Sequence, residues 1–513
     1  MTLWRSLASR RQLFRGAGTG FAAGLFGRLP VLAATQPGAS VYDSIGVRPI
    51  VNCKGTFTII SGSQTLPEVK KAMEEASRHY VHLDELMDGA GKRLAELTKA
   101  EWGIITAGCA AALTHATAAA IAGADPEKMQ RLPDLTGLKN EVVMPRPSRN
   151  VYDHAIRMLG VKMITPTSKD EFLAALRPST ALVALLGENV PRHPMTLEEM
   201  AEAAHKRGIP VIVDAAAERL TIPNVYLTKG ADMVAYSGGK CLRGPQCAGV
   251  LLGKKDLLQA AWINSAPHHA FGRSLKVGKE EIMGMLAAVE AWTKRNHDAE
   301  WKQWEGWLGV IRDKVSSLPA IRTEVIQPRG PSNYAPQLRI TWDAAKLGVT
   351  GSEAYDALYN GNPRVIVPNG EASLTVMPYM MMPGDERIAA ERIREVLSRP
   401  ATRKPEAAPS GSPSFTGQWD VRITYVRGES SHMLFLEQQG EKLVGSHRGD
   451  ILAGDLNGKV TGSRAVFRSS HRYEGSSIGY QFDGVMNGSE IRGTVDLGEY
   501  GQAQFTARRH FNA

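Results

Sequence analysis

The stretch "SGGKCLRGPQCAG", residues 237–249, decides the fold. It joins two apolar runs, "DMVAYSGG" (232–239) and "AGVLLG" (248–253). Both are continuous rather than alternating, as strands buried on both faces are. Three earlier runs have the same character: "EVVMP" (141–145), "ALVALLG" (181–187) and "IPVIVDAA" (209–216). Helical segments separate them. One is "TLEEMAEAAHKRG" (196–208), with a threonine cap at its start and a glycine stop at its end. Strands alternating with helices predict an α/β fold with a mostly parallel central sheet. Gly238 and Gly239 are expected to turn the chain tightly, so that Ser237 and Lys240 face one place.

Asp214 ends the run "IPVIVD", and Lys240 follows the next apolar run, 26 residues on. Ligands of parallel α/β sheets sit at the carboxyl ends of strands. A buried carboxylate there needs a charged partner. The two residues could be an ion pair and nothing more. They also match an arrangement in which Asp214 holds a protonated pyridine nitrogen and Lys240 carries an aldehyde cofactor, pyridoxal 5'-phosphate. Such a cofactor needs an anion cradle. "TAGCAAALTHATAAAIAG" (106–123) offers one, with Gly108, Cys109 and Ala110 at a turn that opens an alanine-rich helix. Ser237 adds a hydroxyl for the same phosphate, and Ala216 is small enough for a flat ring to approach.

The segments "TAGCAAAL", "IPVIVDAAAE", "YSGGKCLRGPQCAGVLLG" and "FGRSLKVGKEEIMGMLAAVEAW" (271–292) carry a resemblance. Residues from about 41 to 395 resemble the selenocysteine-synthase-like group of fold type I pyridoxal-phosphate enzymes. That group includes L-seryl-tRNA(Sec) selenium transferase and D-glucosaminate-6-phosphate ammonia-lyase. The resemblance implies Lys240 as the Schiff-base lysine, Asp214 as the pyridinium partner, and Gly108, Cys109, Ala110 and Ser237 as phosphate ligands. It implies ring stacking from "RPSRNVYDHA" (146–155), where Arg149, Tyr152 and His154 are all candidates. Arg273 and Lys276 in "GRSLK", and more weakly Arg339 in "QLRITW", are candidates for holding an acidic substrate group. A homodimer or higher homo-oligomer with interfacial sites is implied as well. The expected reaction is an ammonia-lyase type α,β-elimination on an amino acid or amino-sugar acid. Selenium transfer and racemase or aldolase chemistry are the alternatives, and a non-catalytic binding protein is the remaining one.

Composition narrows these choices. The net charge is +9, but five arginines and no acidic residue stand in the first 40 residues, and without them the excess is +4. No basic block follows, so nucleic acid is not an expected partner and a small-molecule amine is. Cys53, Cys109, Cys241 and Cys247 form no C-x-x-C pair, which argues against zinc and against a disulfide scaffold. The N-terminus pairs Arg10 and Arg11 ahead of a Gly/Ala-rich apolar stretch and "VLAAT". This is the order of a twin-arginine signal peptide over residues 1–34, so export to the periplasm or beyond is expected. No later run is long enough to span a membrane. The domains expected are a large cofactor-binding domain over 41–295 with an N-terminal arm, a small α+β domain over 296–398 and a linker over 399–414. An all-β barrel or sandwich over 415–513, carrying 11 basic and 11 acidic residues, follows.

Overall fold

The computed structural model describes residues 40–398 and 413–510. The expected signal peptide and nearly all of the expected linker lie outside the described residues. Residues 40–50 hold a 3-10 turn, Val41–Ile45, capped by the Ser40 side chain. An extended arm was expected at that point, but Gly46 adopts a left-handed conformation and closes the turn instead.

From Val51 onward the chain is one compact unit. Its centre is a seven-stranded sheet: β1 (Trp102–Thr106), β2 (Glu141–Val143), β3 (Lys162–Ile164), β4 (Thr180–Leu186), β5 (Val211–Asp214), β6 (Met233–Ser237) and β7 (Gly249–Gly253). The spatial order is β1-β7-β6-β5-β4-β2-β3. Only β7 runs antiparallel to its neighbours. β5 and β6 are adjacent and parallel, with Asp214 opposite Ala235. The carboxyl ends carrying Asp214 and Ser237 are therefore neighbours, as the sequence pattern requires.

Helices cover the sheet. α1 (Pro67–Ser77) begins with proline in its first turn, and α2 is Leu83–Thr98. Val69, Ala72, Met73, Ala76, Tyr80 and Leu83 recur at helical spacing and predict one amphipathic helix, but the chain breaks between α1 and α2, and Tyr80 is fully exposed in the connection. α3 (Gly108–Ala122) is buried on nearly every side. A helix apolar all round belongs inside a core, and its alanines let neighbouring elements approach closely. α4 (Leu197–His205) starts with the Thr196/Glu199 capping box. α5 is Lys255–Ile263 and packs against α3.

A single long helix is expected over 279–317. The structure has two, α6 (Lys279–Lys294) and α7 (His297–Val315). Arg295 is extended between them, and the Asn296 side chain accepts the Ala299 N–H, which starts α7 as a new helix. α7 packs on a second sheet with its own core, formed by β8 (Ile321–Ile326), β9 (Gln337–Trp342), β10 (Asn369–Gly370) and β11 (Ser373–Val376). α8 (Gly351–Asn360) and α9 (Asp385–Leu397) complete this small α+β part.

The C-terminal module is a closed barrel of eight antiparallel strands: β12 (Gly417–Thr424), β13 (Glu429–Gln439), β14 (Lys442–Arg448), β15 (Ala453–Thr461), β16 (Arg464–Tyr473), β17 (Ser476–Asn487), β18 (Glu490–Asp496) and β19 (Gln502–Arg509). Burial alternates residue by residue along β16, as a barrel wall with one filled and one solvated face demands. Trp419, Phe467 and Phe482 fill the interior. Closure leaves no unpaired strand edge.

Candidate active site

Asp214, Ser237 and Lys240 line one cavity of about 480 Å³, together with Gly108, Cys109 and Ala110. Ala216 and Tyr152 also face it. Gly108, Cys109 and Ala110 follow β1, Asp214 and Ala216 stand at the end of β5, Ser237 and Lys240 at the end of β6, and Tyr152 comes from the segment after β2.

The loop after β6 holds Lys240 by backbone contacts. The Gly238 N–H donates to Ala248 O at 2.8 Å, and Gly238 O accepts from the Gly244 N–H at 2.8 Å. The Ser63 N–H donates to Gly239 O at 3.0 Å. Neither Gly238 nor Gly239 has positive φ, so the tight turn expected there does not need a left-handed glycine. They are there for close packing. A Cβ on Gly238 would lie 2.7 Å from Ala248 O and from Pro245 O, and one on Gly239 2.7 Å from Gln246 Cα. The loop folds back on its own root and fixes the direction of Lys240.

Asp214 is 5% exposed. Its Oδ1 accepts the Ala216 N–H at 3.0 Å and the Cys109 thiol at 3.5 Å. Burial pushes the Asp214 carboxyl up from the usual range, while the Ala216 N–H and the charge of Lys240 pull it back. Burial, and next the charge of Asp214, hold the Cys109 thiol well above its ordinary value, so it is a protonated donor. Among the described residues, Asp214 and Lys240 do not form an ion pair within 4.0 Å. The carboxylate is thus buried without a directly bound cation. The Lys240 ammonium lies 5.8 Å from the centroid of the Tyr152 ring.

The start of α3 meets the same cavity. Its first-turn N–H groups have no side-chain cap, and they carry the positive end of the helix dipole. Gly108 has φ +88, and a Cβ there would meet nothing within 4 Å, so the space over the helix end is open. Behind it the packing is tight. A Cβ on Gly249 in β7 would come within 2.6 Å of the Gly108 carbonyl carbon and 2.7 Å of the Cys109 nitrogen. Gly249→Ala is therefore expected to push the helix start into the cavity. Overpacking of this kind costs about 1–3 kcal/mol. A titration with pyridoxal phosphate should show at least a roughly tenfold weaker affinity, and unchanged affinity would contradict the cradle.

These features fit pyridoxal phosphate: an open helix N-terminus for the phosphate, a buried carboxylate lacking a cation for the ring nitrogen, and a lysine on the same cavity wall. Other predicted residues lie elsewhere. Arg149 is not on the cavity wall, because Asp153, Thr165 Oγ1 and Glu474 take up its guanidinium. His154 is exposed on the same segment, also off the wall. Arg273 and Lys276 are exposed and outside the wall. Arg339 lies half-exposed on β9, 3.8 Å from Glu324.

Several wall residues have no signal in the sequence: Thr56 and Phe57 before α1, Glu188 after β4, Ser332 and Asn333 before β9, and Glu499 from the barrel. Glu218, four residues beyond Asp214, is 2% exposed. Its Oε2 accepts from Tyr226 Oη at 2.5 Å, while Oε1 has no hydrogen-bond partner. Burial pushes this carboxyl up from 4.5 to about 7. Between those values the folded protein keeps a proton that the unfolded chain has lost, so this group's contribution to stability declines as pH rises through the window. The melting temperature of the wild type minus that of Glu218→Gln is expected to fall from about pH 4.5 to about pH 7 and then level off. A flat difference would show that Glu218 is ionised throughout.

Comparison with known proteins agrees with this architecture. The aminotransferase class-V family model matches residues 150–272. A 5'-C-glycyluridine monooxygenase-decarboxylase from Streptomyces sp is 30% identical over 375 residues, which are 69% of this chain and 92% of that protein. D-glucosaminate-6-phosphate ammonia lyase from Salmonella typhimurium is 26% identical, over 71% of this chain and 99% of the relative. A solved structure of a D-glucosaminate-6-phosphate ammonia-lyase superimposes with a TM-score of 0.63 at 25% identity, covering 70% of this chain and 98% of that one. L-seryl-tRNA(Sec) selenium transferase from Rhizobium meliloti is 25% identical over 64% of this chain and 73% of its own. The chain belongs to the selenocysteine-synthase-like group of fold type I pyridoxal-phosphate-dependent enzymes.

Proposed function

We propose that the protein is a lyase that removes the amino group of a small amino acid or amino-sugar acid bearing a hydroxyl on its β carbon. The observation that carries this reading is the convergence of Lys240, Asp214 and the open start of α3 on one cavity. Bound pyridoxal phosphate supplies an electron sink for the negative charge that develops at the substrate's α carbon. Lys240 Nζ accepts the α proton. The Asp214 carboxylate holds the positive ring nitrogen, and the Cys109 thiol and Ala216 N–H fix that carboxylate in place. The N–H groups of Gly108, Cys109 and Ala110 and the Ser237 hydroxyl hold the phosphate, and Tyr152 borders the ring. Water leaves from the β carbon, and hydrolysis then gives ammonia and a 2-keto acid, so atoms balance without an oxidant.

Purified protein loaded with cofactor should release ammonia and 2-keto acid in equal amounts from at least one member of a panel of D- and L-β-hydroxy amino acids and amino-sugar acids. Release of carbon dioxide in place of ammonia would assign decarboxylation, the outcome that the name of the Streptomyces relative brings into the comparison. A panel with neither product would overturn the reading.

Two further parts of the proposal concern setting. Export is supported by the Arg10-Arg11 pair and the small-residue stretch ending near Ala34. A homodimer or higher homo-oligomer is supported by Phe57 and Ile59, which stand on the cavity wall and yet are 48% and 86% exposed. No helix among the described residues is long and apolar enough to cross a membrane.

A further inference from the structure

The barrel touches the enzyme part beside the cavity. Its β16–β17 turn, Tyr473-Glu474-Gly475, rests on residues 149–157. Glu474 pairs with Arg149, and Arg157 lies over the Tyr473 ring at 5.9 Å. A Cβ on Gly475 would come within 2.1 Å of Asn150 O and 2.5 Å of Asp153 Oδ2. The two backbones can meet only because residue 475 is glycine.

A second barrel turn, Gly498–Tyr500 between β18 and β19, brings Glu499 to the wall of the Lys240 cavity. This turn is closed by its own hydrogen bonds. The Leu497 N–H donates to Gly501 O at 2.8 Å, and the Gly501 N–H to Gly498 O at 3.1 Å. Leu497 is anchored in the barrel core. Among the described wall residues, the ionisable acids are Glu188, Asp214 and Glu499, and Lys240 is the single lysine or arginine. Asp214 is committed to the buried end. Glu188 and Glu499 are exposed, and they are the wall's remaining carboxylates.

We propose that the barrel forms the outer wall of the substrate site, and that Glu499, with Glu188, selects a substrate whose far end carries an ammonium or hydroxyl donors over one ending in carboxylate or phosphate. A carboxylate only accepts hydrogen bonds, and it repels a second anion. The wall is an addition to the shared fold. The solved ammonia-lyase is 98% accounted for by 70% of this chain, which leaves unmatched a share the size of the first 39 residues and everything beyond 398. The proposal rests on the Lys240 cavity being the substrate site.

The test uses the full-length, cofactor-loaded protein and reads the change in its visible absorbance band on titration with lysine and with glutamate, each as both enantiomers. The wild type should respond to lysine at a concentration roughly tenfold lower than to glutamate, the scale of one charge-assisted hydrogen bond. Glu499→Gln should bring the ratio near one, and Glu499→Arg should invert it. Gly475→Val, which lifts the barrel from Asn150, should behave like Glu499→Gln with the barrel still folded. The same ratio in all four proteins, with the band responding, would overturn the barrel's role and leave the cavity assignment standing. A band that no amine alters would overturn the cavity assignment and the proposal with it. Glu499→Gln is nearly isosteric on an exposed turn, so its result decides even if the arginine variant folds poorly.

Discussion

Lys240→Ala is expected to lower kcat/KM by at least about 10⁴-fold, with the melting temperature of the cofactor-free protein barely changed. The size follows from two roles in one atom: Nζ anchors the cofactor and accepts the α proton. The small effect on folding follows from the loop. Its hydrogen bonds run through the backbone of Gly238, Gly239 and Ala248, none through the lysine side chain. Added methylamine or ethylamine should restore part of the rate in the alanine variant, because a free amine can reach the vacated space in a cavity of about 480 Å³. A protein that simply unfolds would show no such rescue.

Asp214→Asn should have the second-largest effect, a loss of about 10²–10⁴-fold in kcat with the opposite sign on stability. The carboxylate is buried, raised by desolvation, and not ion-paired with Lys240 within 4.0 Å. Asparagine keeps the shape and the acceptor for the Ala216 N–H while removing a desolvated charge. The cofactor-free variant should therefore melt at the same temperature as the wild type or higher. A stabilised fold with lost turnover would mark Asp214 as a residue held for chemistry rather than packing. A large drop in the melting temperature would mean the carboxylate is structural.

Much of the enzyme core was legible because parallel sheets write themselves plainly. Five of the seven strands are continuous apolar runs, and the ends of two of them carry Asp214 and Ser237. β3 was harder to read. It has three residues, stands at the sheet edge and starts with the exposed Lys162, so it lacks the buried-run signature. The break between α6 and α7 was hidden because periodicity continues across it, and only the Asn296 cap marks the new start. The barrel's existence could be read from alternation and turns. Its closure could not, since that depends on β12 pairing with β19 across the length of the module.

The site was legible where one turn holds several groups and illegible where the fold assembles distant ones. Asp214 with Ala216, and Ser237 with Lys240, are each local in sequence. Glu499 is 259 residues from Lys240, and nothing near it resembles a functional motif. Arg149 illustrates the reverse error. Its segment does border the cavity through Tyr152, but Asp153 and Glu474 draw the guanidinium away. Glu218 follows three alanines and belongs to no motif, yet a glutamate so close to a buried strand end needs a partner, which Tyr226 supplies.

The most direct test of the central claim is to reduce the purified, cofactor-loaded protein with borohydride, digest it and locate the modified residue by mass spectrometry. The account predicts that the visible band is bleached and that the cofactor's mass is found on the peptide containing Lys240 and on no other. A modified lysine elsewhere, or a protein that takes up no cofactor at all, would contradict it, and Asp214 and Lys240 would then be neighbours in the fold without a shared chemistry.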